Sequence, residues 1–100
     1  MSIDLQKNFS YTQIVKKLFG QRLRKERQKN DELQSDLAKI LNVDVSMISL
    51  WETGKNYPEV KKLIEIAEHY KVSIDYLLGL VNEGTNSYYN FGIHNGDVKF

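Results

Sequence analysis

The stretch Gln34 to Glu52, QSDLAKILNVDVSMISLWE, constrains this chain more than any other, because its apolar residues recur at helical spacing in two short runs parted by a polar turn. Leu33, Leu37, Ala38, Ile40 and Leu41 form the first run, which stops at Asn42, a residue that tolerates the left-handed backbone of a helix end. Asp44 is the N-cap expected for the second, Val45 to Trp51 or Glu52, with Ile48 turned inward and Thr53-Gly54 as the stop. The reading predicts one helix over about 33–41 and another over about 45–52.

A chain of 100 residues with 41% hydrophobic and 27% charged fits one globular domain with a short appendage. No apolar run is long enough to cross a bilayer, and MSIDLQKNFS lacks the basic start and apolar centre of a signal peptide. The expectation is a soluble, cytoplasmic chain with no membrane contact. The absence of cysteine removes disulfides, thiol catalysis and zinc-thiolate sites and suits a reducing cytosol. The net charge of +1 hides an asymmetry. Lys7, Lys16, Lys17, Arg22, Arg24, Lys25, Arg27 and Lys29 face only Asp4 and Glu26 before residue 31, while acids outnumber bases afterwards. Two readings stay open: a local basic surface, or bases that simply solvate the outer face of a helix.

Around the central pair, Ser10 and Gln13 form a capping box, with Phe9 and Ile14 placed as a hydrophobic staple. A first long helix should therefore begin near Tyr11 and run through Ile14, Val15, Leu18, Phe19 and Leu23 to Asn30, with Gly20 as a weak point inside it. Beyond KNYP, where Pro58 suits a helix's first turn, Val60, Leu63, Ile64, Ala67 and Tyr70 make a stripe. Ser73 then caps a short helix with Ile74, Leu77 and Leu78 inward and Gly79 as its stop. The tail changes period. In YNFGIHNGDVKF, Asn95-Gly96 is a hairpin turn that puts Tyr89, Phe91, Ile93, Val98 and Phe100 on one apolar face. The expected layout is an N-terminal arm at 1–10, a helical domain at 11–80, a linker at 81–87 and a β-hairpin at 88–100 as oligomerisation element. That face needs cover, either from a second copy or by folding back on its own domain.

Three segments, FGQRLRKERQKN, QSDLAKILNVDVSMISLWETGKNYP and KVSIDYLLG, resemble the lambda-repressor and Cro-like helix-turn-helix family from roughly Phe19 to Gly79. The resemblance implies an all-α, five-helix DNA-binding domain, to which the chain adds its C-terminal β-hairpin tail. It further implies a transcriptional regulator, a repressor, acting as a homodimer on a two-part operator in double-stranded DNA. In that arrangement the second helix crosses the DNA backbone, and the third, held by Ala38, Leu41, Val43 and Ile48, enters the major groove.

The resemblance assigns base contacts to Val45, Ser46, Ser49 and Leu50, with Met47 nearby, and phosphate contacts to Gln34, Lys55 and Asn56, with Tyr57 beside them. None of Arg, Lys, Asn or Gln occurs from Val45 to Trp51, so readout would use thymine methyls, hydroxyl bonds and DNA shape. Gln34 has a rival role, since Asp31 and Gln34 also make a capping box. Where the family usually has an apolar residue this chain has Glu32, and Leu33 replaces a small hydroxyl residue or Asn. Arg27 and Glu52 match positions that form a structural ion pair in the family. The apolar Val45, Met47 and Leu50 also fit a contact with a protein partner, so an interaction module on the same fold is the alternative. An enzyme is not expected: His69 and His94 are the only histidines, no phosphate loop follows a strand, and no cofactor or metal is called for.

Overall fold

A computed structural model describes residues 10–83, and in them five helices follow one another: α1 Tyr11–Lys29, α2 Gln34–Leu41, α3 Val45–Glu52, α4 Val60–Tyr70 and α5 Ile74–Leu77. No strand occurs among the described residues. The expected hairpin, with Tyr89, Phe91, Ile93, Val98 and Phe100, lies outside them, as does the staple residue Phe9.

α1 starts where Ser10 Oγ accepts the Gln13 amide at 3.1 Å and Gln13 Oε1 accepts the Ser10 amide at 3.2 Å, which satisfies two of the donors that every helix start leaves open. At its far end Asn30 Nδ2 donates to the Glu26 carbonyl, and Asp31 turns the chain in the left-handed region at φ 55. That conformation overturns the expected Asp31 and Gln34 box. Leu33 is the N-cap instead, exposed and outside the helix, and Asp36 Oδ2 accepts its amide at 2.8 Å. Asn42 ends α2 in the left-handed region at φ 57, and Lys62 reaches across from α4 to the Leu41 carbonyl.

Phe19 and Leu23 of α1, Leu37 and Leu41 of α2, Ile48 of α3, Ile66 of α4 and Leu77 of α5 are fully buried and form the centre of the core. Three residues of the expected apolar runs are not there: Leu33 and Val60 are exposed, and Ile40 is half exposed. Pro58 is buried just ahead of the N-cap Glu59, not in the first helical turn. At α5, Ser73 Oγ accepts the Tyr76 amide at 2.9 Å and Gly79 stops the helix at φ 86. Val81, just after α5, is half-buried against the core.

Gly20 explains how α1 lies against α3. A Cβ there would stand 2.4 Å from the Trp51 carbonyl oxygen and 2.8 Å from that of Glu52, so the two backbones touch because the side chain is missing. Gly54, at φ 78, also faces the α1 backbone but less tightly, since a Cβ there would stand 3.3 Å from the Lys17 Cα. Among the described residues no helix is long and apolar enough to cross a membrane.

Candidate nucleic-acid interface

α3 divides cleanly by helical phase. Ile48, Trp51 and Glu52 are buried, whereas Val45, Ser46, Ser49 and Leu50 share the outward side, Val45 being 47% exposed and Leu50 37%. Met47 does not join them: it is half-buried and packs on the core next to Val43. Asp44 holds the N-cap position, but its carboxylate makes no capping bond and stays exposed at the positive end of the helix.

The inner side of α3 is held by charge. Arg27 Nε donates to Glu52 Oε2 at 2.6 Å, and Arg27 Nη2 and Gln34 Nε2 both donate to Glu52 Oε1 at 3.0 Å. One carboxylate thus joins α1, α2 and α3. The hydrogen bond to Glu52 pushes the Arg27 guanidinium above its ordinary value, against the burial that lowers it. Gln34 therefore caps nothing. One amide hydrogen is taken by Glu52, and its second hydrogen remains available to another acceptor.

Behind this pair Arg27 Nη1 donates to the Glu32 carbonyl at 2.7 Å. The Glu32 carboxylate, replacing the family's apolar side chain, accepts the Tyr70 hydroxyl and meets His69 Nε2 at 2.6 Å. Burial first, and then the bond to Glu32, push the Tyr70 hydroxyl well above the usual tyrosine range. This second cluster ties the α1–α2 junction to the end of α4.

The expected basic surface is smaller than the sequence implies, because several of its members are engaged inside the domain. Arg22 Nη1 donates to the carbonyls of Tyr76 and Val81, and its guanidinium lies 4.6 Å from the Tyr76 ring centre. Arg27 is buried, Lys29 pairs with Glu26, and Lys16 lies 5.4 Å from the Tyr57 ring centre. Lys17, Arg24 and Lys25 stay exposed on α1, and Lys55, Asn56 and Tyr57 are exposed in the loop after α3. Asn56 Oδ1 accepts the Tyr57 amide at 3.0 Å, which shapes that loop.

Residues that shape the site went unread in the sequence. Glu26 is buried, accepting the Tyr76 hydroxyl at 3.1 Å, and Gly20 seats α3. A glycine inside a strongly periodic helix is a usable sign of close backbone approach. For Glu26 the periodicity gives no sign, since a carboxylate on a helix reads as solvated.

The family model described as helix-turn-helix matches residues 23–77. Over 60 residues the chain is 38% identical to the HTH-type transcriptional activator BcrR of Enterococcus faecalis and 37% identical to the HTH-type transcriptional regulator ImmR of Bacillus subtilis (strain 168). Those stretches are 60% of this chain but only 29% of the first protein and 47% of the second. Among solved structures, the P22 c2 repressor protein crystallised in complex with synthetic operator 9T is similar, with a TM-score of 0.60 and 32% identity over 63% of this chain and 96% of that one.

Proposed function

The chain belongs to the helix-turn-helix family, and from that starting point we propose that it is a transcriptional regulator that binds double-stranded DNA with α3 in the major groove. The observation that carries this is the outward face of α3. Val45, Ser46, Ser49 and Leu50 are open to solvent on a helix whose opposite side is fixed by the buried Arg27, Glu52 and Gln34 cluster. A reading head must present unpaired side chains from a rigid seat, and this one does.

In the proposed complex Val45 and Leu50 contact thymine methyl groups, and Ser46 and Ser49 bond to base edges through their hydroxyls. Gln34 turns its second amide hydrogen to a phosphate while the first keeps hold of Glu52. Lys55 and Asn56 meet the backbone from the following loop, supplying affinity without sequence information. Asp44 repels a phosphate from the start of α3, so the loop and α2 carry the backbone contacts. The solved neighbour crystallised on operator DNA supports a repressor acting on an operator. A homodimer on two half-sites follows from the small footprint of one such helix.

Fluorescence anisotropy against DNA upstream of the protein's own gene, repeated over a salt series, tests the proposal. Tighter binding to that DNA than to random duplex is expected, and equal binding at every salt would sink it. One observation favours a second reading: the outward face carries Val45 and Leu50 and none of the side chains that make bidentate base contacts. On that reading α3 meets a protein partner, and Leu50→Ala would abolish partner capture while leaving DNA binding at its random-duplex level.

A further inference from the structure

Glu32 is bonded through its amide, its carbonyl and its carboxylate, and each bond bears on Arg27 or on α4. The end of α1 brings it there. Asp31, in the left-handed region, donates its amide to the Gln28 carbonyl at 3.1 Å, and Glu32 donates its own to the Arg27 carbonyl at 3.0 Å. A helix end of this form folds the chain back, so that Glu32 lies over the residue five places before it. An apolar contact often closes such an end, and here the contact is polar. The Glu32 carbonyl accepts Arg27 Nη1 at 2.7 Å, while its carboxylate accepts the Tyr70 hydroxyl at 2.5 Å and meets His69 Nε2 at 2.6 Å. Tyr70 is buried, and the His69 ring stands edge-on to it with centres 4.5 Å apart, so packing keeps both partners of the carboxylate in place.

We infer that Glu32, held by Tyr70 and His69, is a positioning residue for DNA reading: it fixes Arg27 and the start of α2, and through them Glu52 and Gln34. The inference rests on the DNA-binding role proposed above. The Arg27 guanidinium has acceptors at both ends, Glu32 at Nη1 and Glu52 at Nε and Nη2, and so spans from the α1–α2 turn to α3. Its fork is planar and stiff, so a displacement at Glu32 arrives at Glu52. Gln34 stands two residues after Glu32 and donates at 3.0 Å to the same Glu52 oxygen that Arg27 Nη2 uses. The side chain proposed to reach a phosphate and the helix proposed to read bases therefore share one anchor, which the end of α4 supports through Glu32. Base discrimination needs contacting groups held within about 0.5 Å, whereas attraction to phosphates tolerates looser placement. Loss of the support should thus reduce the choice of DNA sequence more than the attraction to DNA.

Glu32→Leu combined with Tyr70→Phe removes both partners of the inner bond and strands neither, so the full chain should still unfold cooperatively in urea. Two readouts then separate positioning from stability. Without DNA, nitrogen-15 NMR follows rotation of the Arg27 guanidinium about its Nε–Cζ bond, which exchanges Nη1 with Nη2 and must break the Glu32 and Glu52 bonds together. That rotation should be at least about tenfold faster in the double variant. With DNA, in the anisotropy assay, the preference for target over random duplex should fall about threefold to tenfold, while random-duplex binding stays within about twofold. Tyr70→Phe alone, which loses a hydroxyl and little volume, should move both readouts in the same direction. Glu32→Gln still offers the Tyr70 hydroxyl an acceptor and should retain at least about half of the parent preference. An unchanged rotation rate, an unchanged preference beside a parent that has one, or a Glu32→Gln protein as indiscriminate as the double variant would overturn the inference. A parent that shows no preference defeats the DNA-binding reading instead, and the rotation rate then decides whether Glu32 holds Arg27.

Discussion

Replacing Gly20 by alanine sets two opposed effects against each other at one atom. In an ordinary helix interior the change is favourable, because alanine exceeds glycine in helix propensity by about 1 kcal/mol. Here the new methyl would lie 2.4 Å from one α3 carbonyl oxygen and 2.8 Å from the next, and both belong to backbone that cannot rotate away. The helices must separate by most of an ångström, and overpacking of this kind costs about 1 to 3 kcal/mol, towards the upper end where backbone meets backbone. The net loss should be about 2 kcal/mol, or a fall of about 10 °C in the melting midpoint of a domain this size. Thermal unfolding followed by circular dichroism measures it, with the neighbouring exposed Gln21→Ala expected to stay within about 0.5 kcal/mol. A Gly20→Ala protein that melts at or above the parent temperature would show that propensity wins and that α1 does not seat α3 through its backbone.

The remaining expectations concern charge, pH and DNA. Glu52→Ala strands the Arg27 guanidinium in the interior and should cost about 3 to 5 kcal/mol in urea unfolding, more than replacing both partners with methionine. Below about pH 10 the Tyr70 hydroxyl is protonated in both folded and unfolded chains and adds no pH dependence; above it, the unfolded chain ionises while the folded chain, whose value is raised, does not. Stability should therefore fall in alkali, each raised tyrosine approaching about 1.4 kcal/mol per pH unit. Burial first, and then Glu26, also raise the Tyr76 hydroxyl, so Tyr70→Phe and Tyr76→Phe should each flatten that fall between pH 10 and 11 relative to the same variant at pH 8. Lys55→Ala should weaken binding to target and random duplex alike and shallow the logarithmic salt slope by about 0.9. Val45→Ala should reduce the preference for target over random DNA, by less than the 1 to 3 kcal/mol of a good bidentate contact, in the same anisotropy assay.

Where apolar periodicity and caps spoke together, the sequence could be read to the residue. α1 begins at Tyr11, behind the N-cap Ser10, because a capping box and an apolar phase point to one register, whereas α3 runs Val45 to Glu52 on its apolar phase alone, since Asp44 makes no capping bond. The cap of α2 was not legible: Asp31 with Gln34 fits the capping pattern, yet Leu33 takes the cap position behind the left-handed turn at Asp31, which no side-chain pattern announces. In α4 the stripe was drawn from Val60 and missed Ile66, although Leu63, Ile66, Ala67 and Tyr70 keep helical spacing. Val60 is the first apolar residue of α4 but stands a turn ahead of its first core residue. At the site, the outward positions of α3 followed from its phase, but Met47 needed its neighbours to be seen turning inward. The fate of the basic residues was not legible, because a sequence does not say which arginine lies near a free carbonyl, and Arg22 does.

The contact between α1 and α3 at Gly20 has an evolutionary corollary. Because the pose of α3 is set by main-chain atoms and by the buried Glu52, none of the side chains on its outward face takes part in holding it there. Val45, Ser46, Ser49 and Leu50 can be exchanged within about 0.5 kcal/mol of stability, as exposed positions generally are. On the proposed DNA-reading role of these four positions, a lineage carrying this domain can retarget itself by drift there without passing through unfolded intermediates, while Gly20 stays closed to change.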